Sequence, residues 1–141
     1  MILTVLPSPR LQGSVRLPAS KSYSIRAFLT AACGGESLNI RPSGCDDARV
    51  ACRTAQALGA QIEQPNPGTF RVVARDRLSG PSEFDVGESG TVLRFLLPLL
   101  PFYRQQARIV GAGTLIGRPN HLLTAVLREQ GVDIRGTGPL E

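Results

Sequence analysis

Apolar and polar positions change their period repeatedly along this 141-residue chain, and each change predicts an element. Ser14 to Leu17 alternates and reads as a short strand. The period then lengthens. Ile25, Ala27, Phe28, Leu29 and Ala32 keep helical spacing, with Ser20 or Ser22 as the cap and Gly34-Gly35 as the stop. Ser37 to Ile40 reads as a second strand. After the turn Pro42-Ser43-Gly44, Asp46 or Asp47 starts a second helix through Val50, Ala51, Ala55 and Leu58, which Gly59 ends. Gln61 to Glu63 and Phe70 to Ala74 form two strands joined across Pro65-Asn66-Pro67-Gly68.

The order strand, helix, strand, helix, strand, strand then starts again. Phe84-Asp85-Val86 leads into a helix beginning at Gly90-Thr91 and running through Leu93, Phe95, Leu96 and Leu97. Ala107 to Val110 reads as a strand. Arg118-Pro119 opens a helix through Leu122, Leu123, Val126 and Leu127, Gly131 stops it, and Val132 to Ile134 follows as a strand. The matching anchors are Arg26 with Arg94, Ile40 with Ile109, and Leu58 to Ile62 with Gln130 to Ile134. They predict an internal repeat of about 70 residues, a duplicated βαβαββ unit. The expected class is α+β, with mixed α/β character. Unit one covers about 11–78. Unit two covers about 82–141 and is cut off before its closing hairpin.

Composition narrows the picture. Hydrophobic residues make up 42% and charged residues 19%, as in a folded globular chain. Aromatics are only 5% and tryptophan is absent, so the core rests on Leu, Val, Ile and Ala. The formal charge is +5, carried almost entirely by dispersed arginines, with Lys21 the only lysine. Without a basic run or interleaved aromatics, that charge points to small anionic metabolites rather than nucleic acid. Cys33, Cys45 and Cys52 form neither a disulfide framework nor a metal knuckle, and His121 is the only histidine, so reduced thiols in the cytoplasm and no metal are expected. Met1 to Arg10 lacks a basic start and is interrupted by Pro7, unlike a secretory leader. The apolar run Phe95 to Phe102 contains two prolines and is too short to span a bilayer, so no membrane association is expected.

Chemistry-bearing residues collect at predicted helix starts, where unpaired N–H groups and the macrodipole favour anions. At the first start stand Ser20, Lys21, Ser22 and Arg26: hydroxyls, a point charge and a bidentate fork within seven residues. Gly87 to Arg94 repeats the logic, with Gly90 allowing close backbone approach and Thr91 able to cap or donate. Its Arg94 is expected to be partly buried and in need of an anionic partner. Gly111 to Pro119 is a glycine-rich loop from which Arg118 projects; it is neither a Walker loop nor a dinucleotide fingerprint. Asp46 and Asp47 read as helix caps, with Asp47 and Arg49 also able to order the site from behind.

Four of these segments carry a family resemblance. Pro18 to Arg26 resembles the Pro-Gly/Ala-Ser-Lys-Ser-x-Ser-x-Arg signature of the 5-enolpyruvylshikimate-3-phosphate synthase family. Gly87 to Arg94 is similar to its Gly-Asn/Glu-Ala/Ser-Gly-Thr-x-x-Arg segment, Gly111 to Pro119 to its Arg-Pro loop, and Cys45 to Arg49 to its Asp-Asp-x-Arg segment. The motifs follow in order from about Leu11 to Ile134, so the resemblance is to the N-terminal portion of the family chain. It implies transfer of the enolpyruvyl group of phosphoenolpyruvate to the 5-hydroxyl of shikimate 3-phosphate with release of phosphate. It also implies domains built from βαβαββ units and no cofactor. On the residues that match, Lys21 would contact both substrates, and Ser22 and Arg26 would hold shikimate 3-phosphate. Gly90 and Thr91 would face phosphoenolpyruvate, and Arg118 would clamp it. Asp47, Arg49 and Arg94 would support them. The acid–base residues would come from the missing remainder of the enzyme, so this chain alone is expected to be inactive. Two positions depart from the pattern: Glu88 stands where many members have Asn, and Thr114 where a basic residue is common. The rival readings are the sister enzyme acting on UDP-N-acetylglucosamine, whose first motif has Lys-Asn rather than Lys21-Ser22, and a non-catalytic module of the same repeat that binds RNA ends.

Overall fold

A computed structural model describes residues 2–8, 10–75, 83–103 and 106–136. Helix α1 (Lys21–Ala32) is followed by strand β1 (Glu36–Ile40), helix α2 (Asp46–Ala57) and the hairpin β2 (Gln61–Asn66) and β3 (Thr69–Val73). Strand β4 (Glu83–Gly87) then leads into helix α3 (Gly90–Tyr103), strand β5 (Arg108–Gly111), a single 3-10 turn at Gly113–Leu115 and helix α4 (His121–Glu129). The chain is therefore mixed α/β, as its hydrophobic periodicity predicts.

Two separate sheets flank the helices. One is antiparallel in the order β1-β3-β2, with Leu38 opposite Arg71 and Ile62 opposite Val72. The other is the parallel pair β4-β5, with Phe84 opposite Ile109 and helix α3 as its crossover. Pro65 falls on the edge strand β2, where a missing N–H costs no ladder bond, and the register shifts between Glu63 and Asn66. Gly68 turns the hairpin at φ 77°.

The core lies where α1, α2 and α3 meet. Ile25, Phe28 and Leu29 of α1, Ala51 and Ala55 of α2, and Val92 and Leu96 of α3 close on Val72, Phe84 and Val86 from the two sheets. Phe28 stands edge-on to Phe70, with ring centroids 5.5 Å apart and planes at 88°. Helix α3 continues through Pro98 and Pro101, because burial of Leu93, Leu96 and Leu100 offsets the backbone bonds those prolines remove. None of the helices among the described residues is long and apolar enough to cross a membrane.

Five expectations are corrected. Ser14 to Leu17 forms no strand: Val15 and Leu17 are 84% and 80% exposed, and among the described residues no neighbouring strand offers hydrogen-bond partners. Val132 to Ile134 is irregular for the same reason. Neither Asp46 nor Asp47 caps α2. The cap position is Cys45, whose side chain makes no capping bond, and both aspartates lie in the first turn. The helix expected from Arg118-Pro119 begins only at His121, behind Asn120, and leaves Leu122 and Val126 exposed. Arg94 lies on the exposed face of α3 rather than in the core, because the helix turns Val92, Leu93 and Leu96 inward instead.

Candidate anion-binding site at converging helix starts

The candidate residues gather because α1, α2 and α3 present their N-terminal ends to one region. At α1, Ser20 caps the helix by accepting the Tyr23 N–H at 3.3 Å. Ser24 ties this turn to the loop before α2: its hydroxyl donates to the Ser20 carbonyl at 2.8 Å and accepts the Ser43 N–H at 2.7 Å. Ser89 does for α3 what Ser20 does for α1, accepting the Val92 N–H at 3.4 Å while itself buried. Sequence reading did not select Ser89 as a site residue. Its match to Ser20, both capping the first helix of a repeat, was the signal available.

Lys21 and Asp47 join the first two helix starts, with Nζ 3.0 Å from Oδ2. The Ser89 hydroxyl at the start of α3 faces Asp47, and Ser89 together with Lys21 holds the Asp47 carboxyl below the ordinary carboxylate range. Asp47 in turn raises Lys21 above its ordinary value through the hydrogen bond and its charge, while Arg118 opposes this weakly. Asp47→Asn is expected to cost about 1 kcal/mol at neutral pH, because both partners are solvent-accessible and screened. Asp47 has a lower pKa folded than unfolded, so its contribution is full above about pH 4 and fades as pH falls through the depressed value. Urea melts between pH 2 and 8 should show that acid limb flattened in the variant; an unchanged limb would mean the pair contributes nothing.

Two guanidinium groups meet above the start of α3. A Cβ at Gly90 would lie 3.2 Å from Arg94 Nη1 and 3.4 Å from Arg118 Nη1, so a larger residue there would crowd Arg94 and come into contact with Arg118. Arg94 is anchored by donating to the Pro119 carbonyl at 3.3 Å. Arg118 donates from Nη2 to the Thr114 hydroxyl at 2.9 Å. Thr91 follows Gly90 in the first turn, half-buried. Lys21, Asp47, Gly90, Arg94 and Arg118 therefore share one neighbourhood, with cations outnumbering the acid.

Other predicted residues sit apart from this cluster. Arg26 donates to the Ser22 carbonyl at 3.2 Å and lies over the Phe95 ring, 5.4 Å from its centroid, so it bridges α1 and α3. Ser22 is exposed beside Lys21. Arg49 pairs with Asp46 at 3.3 Å on the solvent face of α2, because its position one helical turn past Asp46 puts it beside that carboxylate instead of Asp47. A groove of about 360 Å³ also flanks the start of α1, lined by Tyr23, Ala27, Leu38, Asn39 and Ile40 among others. Its lining includes Ser20 and Arg41 but none of Lys21, Arg94 and Arg118.

The helix starts thus bring a lysine and two arginines together on a mixed α/β scaffold, a grouping whose chemistry suits phosphate or carboxylate groups. Comparison with known proteins is more specific. The chain matches the model of the family described as EPSP synthase (3-phosphoshikimate 1-carboxyvinyltransferase) over residues 5–139. It is 36% identical to the 3-phosphoshikimate 1-carboxyvinyltransferase of Synechococcus sp. (strain JA-3-3Ab), over 96% of this chain and 32% of that protein. It is 31% identical to the protein of the same name from Methylococcus capsulatus (strain ATCC 33009 / NCIMB 11132 / Bath), over 99% of this chain and 34% of that one. A solved EPSP synthase from Acinetobacter baumannii superposes with a TM-score of 0.77 at 25% identity, covering 89% of this chain and 30% of that one. The chain belongs to the EPSP synthase family. It spans about a third of the length of the relatives it matches.

Proposed function

We propose that this chain supplies half of a substrate cleft for transfer of the enolpyruvyl group of phosphoenolpyruvate to the 5-hydroxyl of shikimate 3-phosphate, with release of phosphate. The observation that carries the reading is the meeting of Arg94 and Arg118 at the Gly90 helix start, with Lys21, paired to Asp47, within the field of Arg118. Arg118 and Lys21 would hold the phosphate and carboxylate of phosphoenolpyruvate, with the backbone at Gly90 and Thr91 against it. Gly90 leaves the room: without a Cβ, an anionic oxygen can approach the helix N–H groups closely. Ser22 and Arg26, with Lys21, would hold shikimate 3-phosphate along the exposed side of α1. Asp47 would keep Lys21 charged and oriented, and Arg94 would add to the positive field. Such preorganised cations favour the charge that builds as phosphate departs. Acid–base groups and the opposite wall of the cleft belong to the rest of the enzyme. The read-out of two repeats, about 11–78 and about 82–141, is supported by the paired cap serines Ser20 and Ser89. Three unpaired cysteines suit a reducing cytoplasm.

Thermal melting tests the reading. At a hundredfold excess over the dissociation constant a ligand adds about 2.7 kcal/mol, a rise of several degrees in Tm. Shikimate 3-phosphate with phosphoenolpyruvate should produce that rise in this chain. No shift, or a shift only with short RNA or only with UDP-N-acetylglucosamine, would overturn the assignment. Phosphate release from the two substrates is expected only when the remainder of the enzyme is supplied; robust turnover by the chain alone would overturn the division of labour.

A further inference from the structure

Glu88, before the start of α3, and Thr114, in the loop before α4, bond to each other. Glu88 Oε2 accepts both the backbone N–H and the hydroxyl of Thr114, each at 2.8 Å. The Thr114 hydroxyl accepts from Arg118 Nη2 at 2.9 Å. A threonine hydroxyl has one proton and two lone pairs, a carboxylate only accepts and a guanidinium only donates. The chain can therefore run in one direction alone, from Arg118 through Thr114 to Glu88. The Thr114 N–H first, and then its hydroxyl, hold the Glu88 carboxyl below the ordinary carboxylate range, so it is an ionised acceptor at neutral pH. The loop is shaped around that carboxylate. Gly113 turns at φ 54°, and a Cβ there would overlap the Glu88 carboxylate.

We propose that Glu88, acting through Thr114, is a positioning residue that holds the Arg118 guanidinium beside Arg94 above Gly90. Its value to the anion clamp depends on the phosphoenolpyruvate reading above; its hold on Arg118 does not. The alternative role for Glu88 is a bare negative charge near an anion site, and this has the opposite sign. A bare charge repels phosphoenolpyruvate, so its removal strengthens binding. A positioning contact, when removed, frees the arginine and weakens binding.

The experiment compares Glu88→Ala, Glu88→Gln, Thr114→Val and Thr114→Ser in this chain. Nitrogen NMR of the Arg118 Nε–H reports side-chain order without ligand, and phosphoenolpyruvate titration reports affinity. Thr114→Val matches threonine in shape and keeps the backbone N–H to Glu88, so it tests the hydroxyl link without dismantling the loop. Glu88→Ala and Thr114→Val should loosen Arg118 and lower affinity about 10-fold. Glu88→Gln and Thr114→Ser, which retain an acceptor and a hydroxyl, should stay within about 3-fold of the parent. Unchanged Arg118 order in Glu88→Ala, or equal or tighter binding by that variant, would overturn the proposal. If the parent chain binds no phosphoenolpyruvate, the substrate reading fails, and Arg118 order alone decides the positioning role.

Discussion

Alanine in place of Arg118 is expected to lower the affinity of this chain for phosphoenolpyruvate by about 100-fold. A guanidinium on a phosphate or carboxylate makes paired, charge-assisted hydrogen bonds, each contributing about 1.5–3 kcal/mol. Every 1.4 kcal/mol is about tenfold in affinity. Arg118 stands where such a contact would be strongest, against Gly90 and beside Arg94. Its field also reaches Lys21, Asp47 and Glu88. Lysine at the same position keeps the charge and loses the planar fork, so Arg118→Lys should still lose about tenfold. Because Arg118 is exposed, neither change should move the unfolding midpoint much. Titration calorimetry on the chain is the measurement. Affinity within a factor of two of the parent in Arg118→Ala would remove Arg118 from the site.

The second large effect is on folding. Phe28→Ala should cost about 3–5 kcal/mol, the range for emptying a buried phenylalanine site. Phe28 is 2% exposed, sits among residues from α2 and α3, and makes the edge-on contact with Phe70. The cavity would lie between helices whose other large side chains are already buried, so collapse can fill little of it. Total stability of a domain is about 5–15 kcal/mol, and the variant should lose a large part of that. Phe28→Leu keeps most of the volume and should cost about 1 kcal/mol. Urea unfolding checks both: the midpoint should fall while the slope is unchanged. A loss below about 1 kcal/mol for the alanine variant would mean that α1 does not pack on α2 and the sheet in this way.

The helices and the hairpin were legible because their signals are local. Ile25, Phe28 and Leu29 face one side at helical spacing, and Pro67-Gly68 breaks the chain where β2 must turn into β3. Lys21, Gly90 and Arg118 were legible as site candidates because helix starts and glycine loops attract anions for reasons visible in a few neighbouring residues. The strands expected at Ser14 to Leu17 and Val132 to Ile134 were not settled by local signal. Alternation describes a residue's preference, whereas a strand exists only beside a partner. The outer face of α4 met the same limit: Leu122 and Val126 have helical spacing, but spacing does not name what covers them.

The sequence by itself determined where the chain coils, where it turns and which residues carry the charge, since these depend on neighbours three or four positions away. The tertiary structure decided which of those charges meet. Lys21 and Asp47 are joined through space, as are Glu88, Thr114 and Arg118. Each link joins segments that are distant in the chain or turned toward each other by the loop, and it forms only because the core under α1, α2 and α3 fixes their starts side by side. That packing also set Arg26 over Phe95, a choice that chain spacing left open.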